Sequence, residues 1–176
     1  MLARAQPRAG EATMYRGTWA WVTRARDTGE LEMLHGRKYP QAKFGANKWS
    51  GPGGGLEANE SLERCIQRET QEELDITPDM ATTRKVAIVT YHASGEPYYE
   101  MHCFHVTDFV GIPRPTREMV EVRWFTLAEF PFAETFEDSE RLYRRFLKLT
   151  PFRANVYYRT RIGGLILPIE FMPFSP

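Results

Sequence analysis

Three acids, Glu69, Glu72 and Glu73, fall within the stretch RETQEELDI, residues 68–76. At helical spacing, residues three and four apart share a face, so the three carboxylates project together. Two forces oppose that arrangement. Like charges at these spacings repel, and acids in a last helical turn meet the negative end of the helix dipole. Each costs a few tenths to about 1 kcal/mol. A cation bound among them reverses both signs, and carboxylate oxygens suit a hard divalent ion, Mg²⁺ or Mn²⁺. The glycines just upstream, in GPGGG, let backbone groups approach an ion and a phosphate chain closely. Arg68 is placed to pair with an acid such as Glu60 and hold the site in shape. The chemistry this pattern suits is the binding of a divalent ion beside a phosphate chain.

The surrounding elements must position these groups. TWAWVTR and LEMLHGRK alternate as two strands joined by a turn at Asp27–Gly29. A long Gly-rich loop follows, residues 39–60. The acidic helix is expected from about Glu60 to Leu74, capped by Asn59, packed through Leu62, Cys65, Ile66 and Thr70, and stopped by Pro78. RKVAIVTYH and YYEMHCFHVTDF pair antiparallel across ASGEP, and VEVRWFTL is a further strand. DSERLYRRFLKL is a second amphipathic helix burying Leu142, Phe146 and Leu149. Short strands near NVYYRT and LILPIEF end the chain. The sum is one α/β domain over residues 15–176, a mixed β-sheet between helices. Residues 1–14 lack periodicity and are expected to form a flexible arm, with Met14 an alternative start.

The chain has 176 residues, and 23 basic side chains balance 23 acidic ones. That balance argues against a broad nucleic-acid surface. No apolar run reaches membrane-spanning length and no secretory segment opens the chain. The two cysteines, Cys65 and Cys103, read as buried reduced thiols of a cytoplasmic protein. His35, His92, His102 and His105 show no metal-ligand spacing.

The wider window GGLEANESLERCIQRETQEELDI resembles the Nudix box, G-x5-E-x7-R-E-U-x-E-E-x-G-U. Five residues separate Gly54 from Glu60, and seven separate Glu60 from Arg68–Glu69. Two positions depart. Thr70 replaces an aliphatic residue, and Asp75 stands where the box ends in Gly. That last position favours a left-handed conformation, which Asp tolerates better than most residues. Outside the box, FGANKWSG, GEPYYEMHCF, GIPRPTREM and WFTLAEFPF are similar, in order, to MutT-type hydrolases of oxidised purine nucleoside triphosphates. The resemblance covers roughly residues 16 to 172.

The resemblance implies a Nudix α/β/α sandwich that hydrolyses a nucleoside triphosphate to the monophosphate and pyrophosphate, cleansing the nucleotide pool. It implies a metal site of Gly54, Glu69, Glu72, Glu73 and the remote acid Glu118. The water's proton would go to Glu72, Glu73 or Glu118, with Arg68 as support. A base pocket would be formed by Phe44, Ser50, Met119, Phe136 and Asp138. Four substitutions touch the pocket and its approach: Phe136 for Trp, Ser50 for Asn, Ser139 for the second of two aspartates, and Gly55 for a Lys. They leave the preference for 8-oxoguanine open. Hydrolysis of ADP-ribose or a dinucleotide, or nucleotide sensing without turnover, are the alternatives. The partner is a small nucleotide, with no nucleic acid or membrane. A monomer is expected, with an oligomer left open. Arg37 and Lys38 are candidates to meet phosphates.

Overall fold

The computed structural model describes residues 14–161 and 163–174. The expected flexible arm, Met14 apart, lies outside the described residues. Among the described residues, eleven strands, two helices and one 3-10 turn (Phe132–Glu134) follow in the order β1 (Tyr15–Ala25), β2 (Leu31–Lys38), β3 (Trp49–Ser50), β4 (Gly53–Gly55), α1 (Leu62–Leu74), β5 (Ile76–Pro78), β6 (Arg84–Ala93), β7 (Glu96–Val106), β8 (Phe109–Gly111), β9 (Met119–Thr126), α2 (Ser139–Phe146), β10 (Phe152–Thr160) and β11 (Gly163–Pro173). Nine strands form a mixed sheet along the path β11-β10-β6-β7-β1-β2-β3, with β4 on β1 and β9 on β2.

β1 organises both faces. Its residues 17 to 23 are all buried, so alternation sorts side chains by size rather than polarity. Trp19 and Trp21 face α2 and pack with Tyr143, Phe146, Phe152 and Val156. Ala20 and Val22 face α1 and pack with Ile66, Leu74, Phe104 and Val106. Helices therefore cover both sides of the sheet, as expected. β1 also runs parallel to β7 through Val22 and antiparallel to β2 from Thr23. Its first half meanwhile pairs Gly17, Thr18 and Trp19 with β4. One strand thus fixes the glycine loop against the sheet.

Several boundaries differ from expectation. α1 begins at Leu62, because Ser61 is the cap and its hydroxyl accepts from the Arg64 amide, 3.2 Å. Asn59 instead turns the chain at φ +63°. α1 ends at Asp75 in the left-handed conformation (φ 59°, ψ 35°), before Pro78 is reached. The side chain compensates for the missing Gly: Asp75 accepts from Gln71 (2.7 Å) and pairs with Arg114 (2.8 Å). Pro78 lies in β5, which pairs with β8 in a separate small sheet. The long loop holds β3 and β4. Leu149 lies beyond α2 and is 63% exposed, while Leu142 and Phe146 are buried. Cys65 and Cys103 are buried and free, as expected.

The helix carries its acids without basic residues in its last turn. Packing tolerates the cost. Burying Ile66 and Leu74 contributes about 1.5–3 kcal/mol each, more than the crowding of carboxylates removes.

Candidate active site

The buried face of α1 includes Glu69 and Glu73 beside Cys65, Ile66, Thr70 and Leu74. β4 crosses above them. Gly54 is so close that a Cβ there would stand 2.3 Å from Glu69 Oε1, so any larger residue would push the Glu69 carboxylate from its place.

Arg68 gathers the acids on one side. Its Nε and Nη2 donate to the two Glu60 oxygens at 2.8 and 2.9 Å, a fork geometry that fixes the guanidinium. Its Nη1 donates to Glu69 (2.8 Å) and to the exposed Glu72 (3.2 Å). Its Nη2 also reaches the Gly55 carbonyl, 3.2 Å. The Arg68–Glu60 pairing expected from sequence is present. It holds Glu60 down to about 2, against the pull of desolvation. Glu69 behaves oppositely. Burial pushes it up to about 7 despite Arg68, and the charges of Glu73 and Glu72 add to the rise. Glu73 is almost wholly buried, and burial raises its carboxyl although Lys38 donates to it at 2.9 Å and the Gly53 amide at 2.8 Å.

Among the described residues, no three His, Cys, Asp or Glu side chains converge as a ready metal cluster. Instead Glu69 and Glu72 turn to Arg68 while Glu73 turns to Lys38. The donor set nevertheless suits a hard divalent cation. All the donors are oxygens, and Glu69 and Glu73 are buried carboxylates whose desolvation raises them, so a cation bound there would favour their ionised form. Glu118 adds to the rise of Glu73.

Glu118 is exposed and lines a cleft of about 550 Å³ with Lys38, Tyr39, Lys43, Phe44 and Arg117. Three cations at one mouth suit a polyanion. Arg37 does not join them. It pairs with Glu121 and Glu134 and lies over Trp49. Phe44, 62% exposed, stacks on Phe136 with centroids 5.2 Å apart.

The other pocket candidates are less open. Ser50 is buried and donates to the Gly51 carbonyl. Met119 is fully buried in the α1-side core. Asp138 is buried at the N-cap position of α2, yet makes no capping bond. Burial raises its carboxyl, and the neighbouring phenols of Tyr91 and Tyr158 work against that rise. Sequence alone did not single out these tyrosines, Tyr99, Lys43 or Arg117. Only the alternation of β6, β7 and β10 hints that Tyr91, Tyr99 and Tyr158 share a face.

Such a helix, with its acids beneath a glycine loop on a sheet covered from both sides, defines the class. The chain belongs to the NUDIX domain family, whose model matches residues 14–146. Among individual proteins, it is 32% identical over 96 residues to the oxidized purine nucleoside triphosphate hydrolase of Danio rerio and 33% identical over 96 residues to that of Mus musculus. Each match covers 54% of this chain and 60% of the relative's length. The fold is similar to that of the mutator MutT protein from Bacillus halodurans, with TM-score 0.72 and 20% identity, covering 92% of this chain and all of that one. No helix among the described residues is long and apolar enough to cross a membrane.

Proposed function

We propose that the protein hydrolyses a purine nucleoside triphosphate, with an oxidised purine as the favoured base, to the monophosphate and pyrophosphate. The observation that carries this is the pair of buried carboxylates, Glu69 and Glu73, with Glu69 directly beneath Gly54. They sit beside a cleft whose rim offers Lys38, Lys43 and Arg117. The names printed for the fish and mouse relatives support the substrate class.

Glu69, Glu72, Glu73, the Gly54 carbonyl and Glu118 would hold Mg²⁺, with Mn²⁺ an alternative. Such an ion polarises phosphoryl oxygens and makes a bound water more acidic. The chain's own groups do the rest. Arg68, anchored by Glu60, keeps Glu69 and Glu72 in register. Lys38, Lys43 and Arg117 balance the phosphate charge. One of Glu72, Glu73 or Glu118 takes a proton from water as its oxygen bonds to phosphorus, and the bridging P–O bond breaks to release pyrophosphate. Phe44 and Phe136, stacked on each other, offer an aromatic face to the base, and Asp138 reads its edge, with Ser50 and Met119 shaping the pocket beneath. In this reading, residues 15–176 act as one unit on free nucleotide in the cytoplasm, as a monomer, with buried free thiols consistent with a reducing compartment.

A substrate panel tests the reaction. With Mg²⁺, 8-oxo-dGTP, dGTP and dATP should release pyrophosphate, while ADP-ribose and a diadenosine polyphosphate should be turned over at least about tenfold more slowly. Faster turnover of either diphosphate-linked compound would replace this assignment.

The position of Glu118 on the rim yields a second expectation. Glu118→Gln should lower turnover and shift its Mg²⁺ dependence while moving Tm little, since exposed substitutions rarely affect stability. Unchanged activity at every Mg²⁺ concentration would leave Glu118 a loop acid.

A further inference from the structure

The loop between β8 and β9, residues 112–118, carries Glu118 and has no helix or strand of its own. Most of its side chains are exposed, Glu118 included. It is nevertheless fastened to the end of α1. β8 ends at Gly111, where a Cβ would stand 2.5 Å from the Asp75 carbonyl oxygen. The Arg114 amide donates to the Leu74 carbonyl at 3.2 Å, and Arg114 Nε pairs with the Asp75 carboxylate at 2.8 Å. The Thr116 hydroxyl donates to the Glu73 carbonyl at 3.0 Å and accepts the amides of Glu118 and Met119, each at 3.2 Å. From the other side, the Tyr39 amide donates to the Glu118 carbonyl at 3.0 Å. The backbone of Glu118 is thus held from α1 through Thr116 and from the residue that follows β2.

The sequence stiffens this strap. Arg114 stands between Pro113 and Pro115. Each proline fixes its own φ, and Pro115 keeps Arg114 extended. The last carbonyls of a helix have no partner within it. The loop satisfies two of them, and Arg114 brings a positive charge to the negative end of the helix dipole. Asp75, which stands where the box has Gly, supplies an anchor that Gly lacks. A simple helix cap would need no more than these contacts. The Thr116 hydroxyl goes further, because its one proton serves the Glu73 carbonyl while its lone pairs serve the amides of the acid and its neighbour.

We propose that Thr116 is a positioning residue of the metal site, its hydroxyl holding Glu118 within reach of the carboxylate helix, and that the Asp75–Arg114 pair tightens the same strap. The inference rests on the proposed role of Glu118 as a metal ligand. An exposed acid on a free loop is ordered only when an ion binds, at a cost in affinity. A loop already tied to the helix meets that cost on folding. Groups that orient a ligand from behind affect metal affinity nearly as much as the ligands do.

The test uses the full chain with Mn²⁺ alone as the probe, free ion being counted by electron paramagnetic resonance, and kinetics with Mg²⁺ and dGTP run alongside. Thr116→Val removes the hydroxyl at nearly constant shape, and Thr116→Ser restores it. Arg114→Gln is read in parallel, and Thr116→Val is also combined with Glu118→Gln. Thr116→Val should weaken Mn²⁺ binding about tenfold and lower kcat with the nucleotide KM little changed, while Thr116→Ser should bind as wild type does. With Glu118→Gln in place, Thr116→Val should add no further loss. Arg114→Gln should weaken Mn²⁺ about twofold, although removal of a positive charge would by itself tighten it. Arg114 is exposed, so this variant reads the strap even where Thr116→Val melts early. Wild-type Mn²⁺ affinity in Thr116→Val, a loss that adds in full to that of Glu118→Gln, or tighter binding by Arg114→Gln would each overturn the inference. If Glu118→Gln itself changes neither Mn²⁺ affinity nor turnover, the ligand role fails and the inference with it. If wild type turns over no triphosphate, the proposed hydrolysis fails, while the Mn²⁺ measurements still read this inference.

Discussion

Glu73→Gln is expected to lower kcat with Mg²⁺ by at least about 100-fold while the protein stays folded, the scale of losing a group that stabilises charge in the transition state. The side chain sits at the base of the site, accepting from the Gly53 amide at 2.8 Å and from Lys38 at 2.9 Å. A Gln carbonyl can still accept from both, so the loop should keep its seat on α1. What is lost is a negative charge. Stability should follow the opposite course. Burial outweighs Lys38 and holds the Glu73 carboxyl above its ordinary range. An acid raised in this way stabilises the fold below its unfolded pKa, and that contribution disappears as pH rises through the folded value. Gln does not titrate, so the metal-free variant should melt no lower than wild type at about pH 8. Circular dichroism and thermal melts check the fold, and steady-state kinetics with Mg²⁺ and with excess chelator check the chemistry. Turnover within a few-fold of wild type, or wild-type activity that survives the chelator, would remove Glu73 from the mechanism.

Asp138→Ala is expected to reduce kcat/KM for 8-oxo-dGTP and dGTP more than tenfold, because a hydrogen bond to a charged group is worth roughly 1.5–3 kcal/mol. A pyrimidine triphosphate such as dCTP lacks the same contact and should change far less. The helix does not lose a cap, since the carboxyl makes no capping bond. Parallel kinetics on the three nucleotides separate the roles. Equal losses on all three, together with a lowered Tm, would make Asp138 a structural residue and take it out of the base pocket.

Much of this architecture was legible because its signals are local. The carboxylate spacing, the glycine run and the Arg68–Glu60 pairing all lie within one loop and one helix. The left-handed end at Asp75 followed from its place in the box, and the antiparallel pairing of β6 with β7 from the turn at Ser94–Gly95. Local signals also misled. Asn59 and Ser61 are both capping residue types, and only the left-handed turn at Asn59 decides between them. Leu149 fits the helical period, but α2 has ended before it. β3 and β4 are too short to show any period. Non-local pairings were invisible. Lys38 and Glu73 are 35 residues apart, and the stacking of Tyr158 on Tyr91 depends on β10 lying beside β6.

That placement of β10 separates what is inherited from what coheres. The family model ends at residue 146, yet β10 pairs with seven consecutive residues of β6, from Ala87 to Ala93, and contributes Phe152, Ala154 and Val156 to the α2-side core. A chain trimmed at the family boundary would turn β6 into a bare edge, with unpaired amides and carbonyls beside an uncovered apolar face. Edges of that kind recruit other chains. Trimming would therefore convert an interior strand into a template for self-association. The last two strands serve as an edge guard even though no catalytic group resides on them.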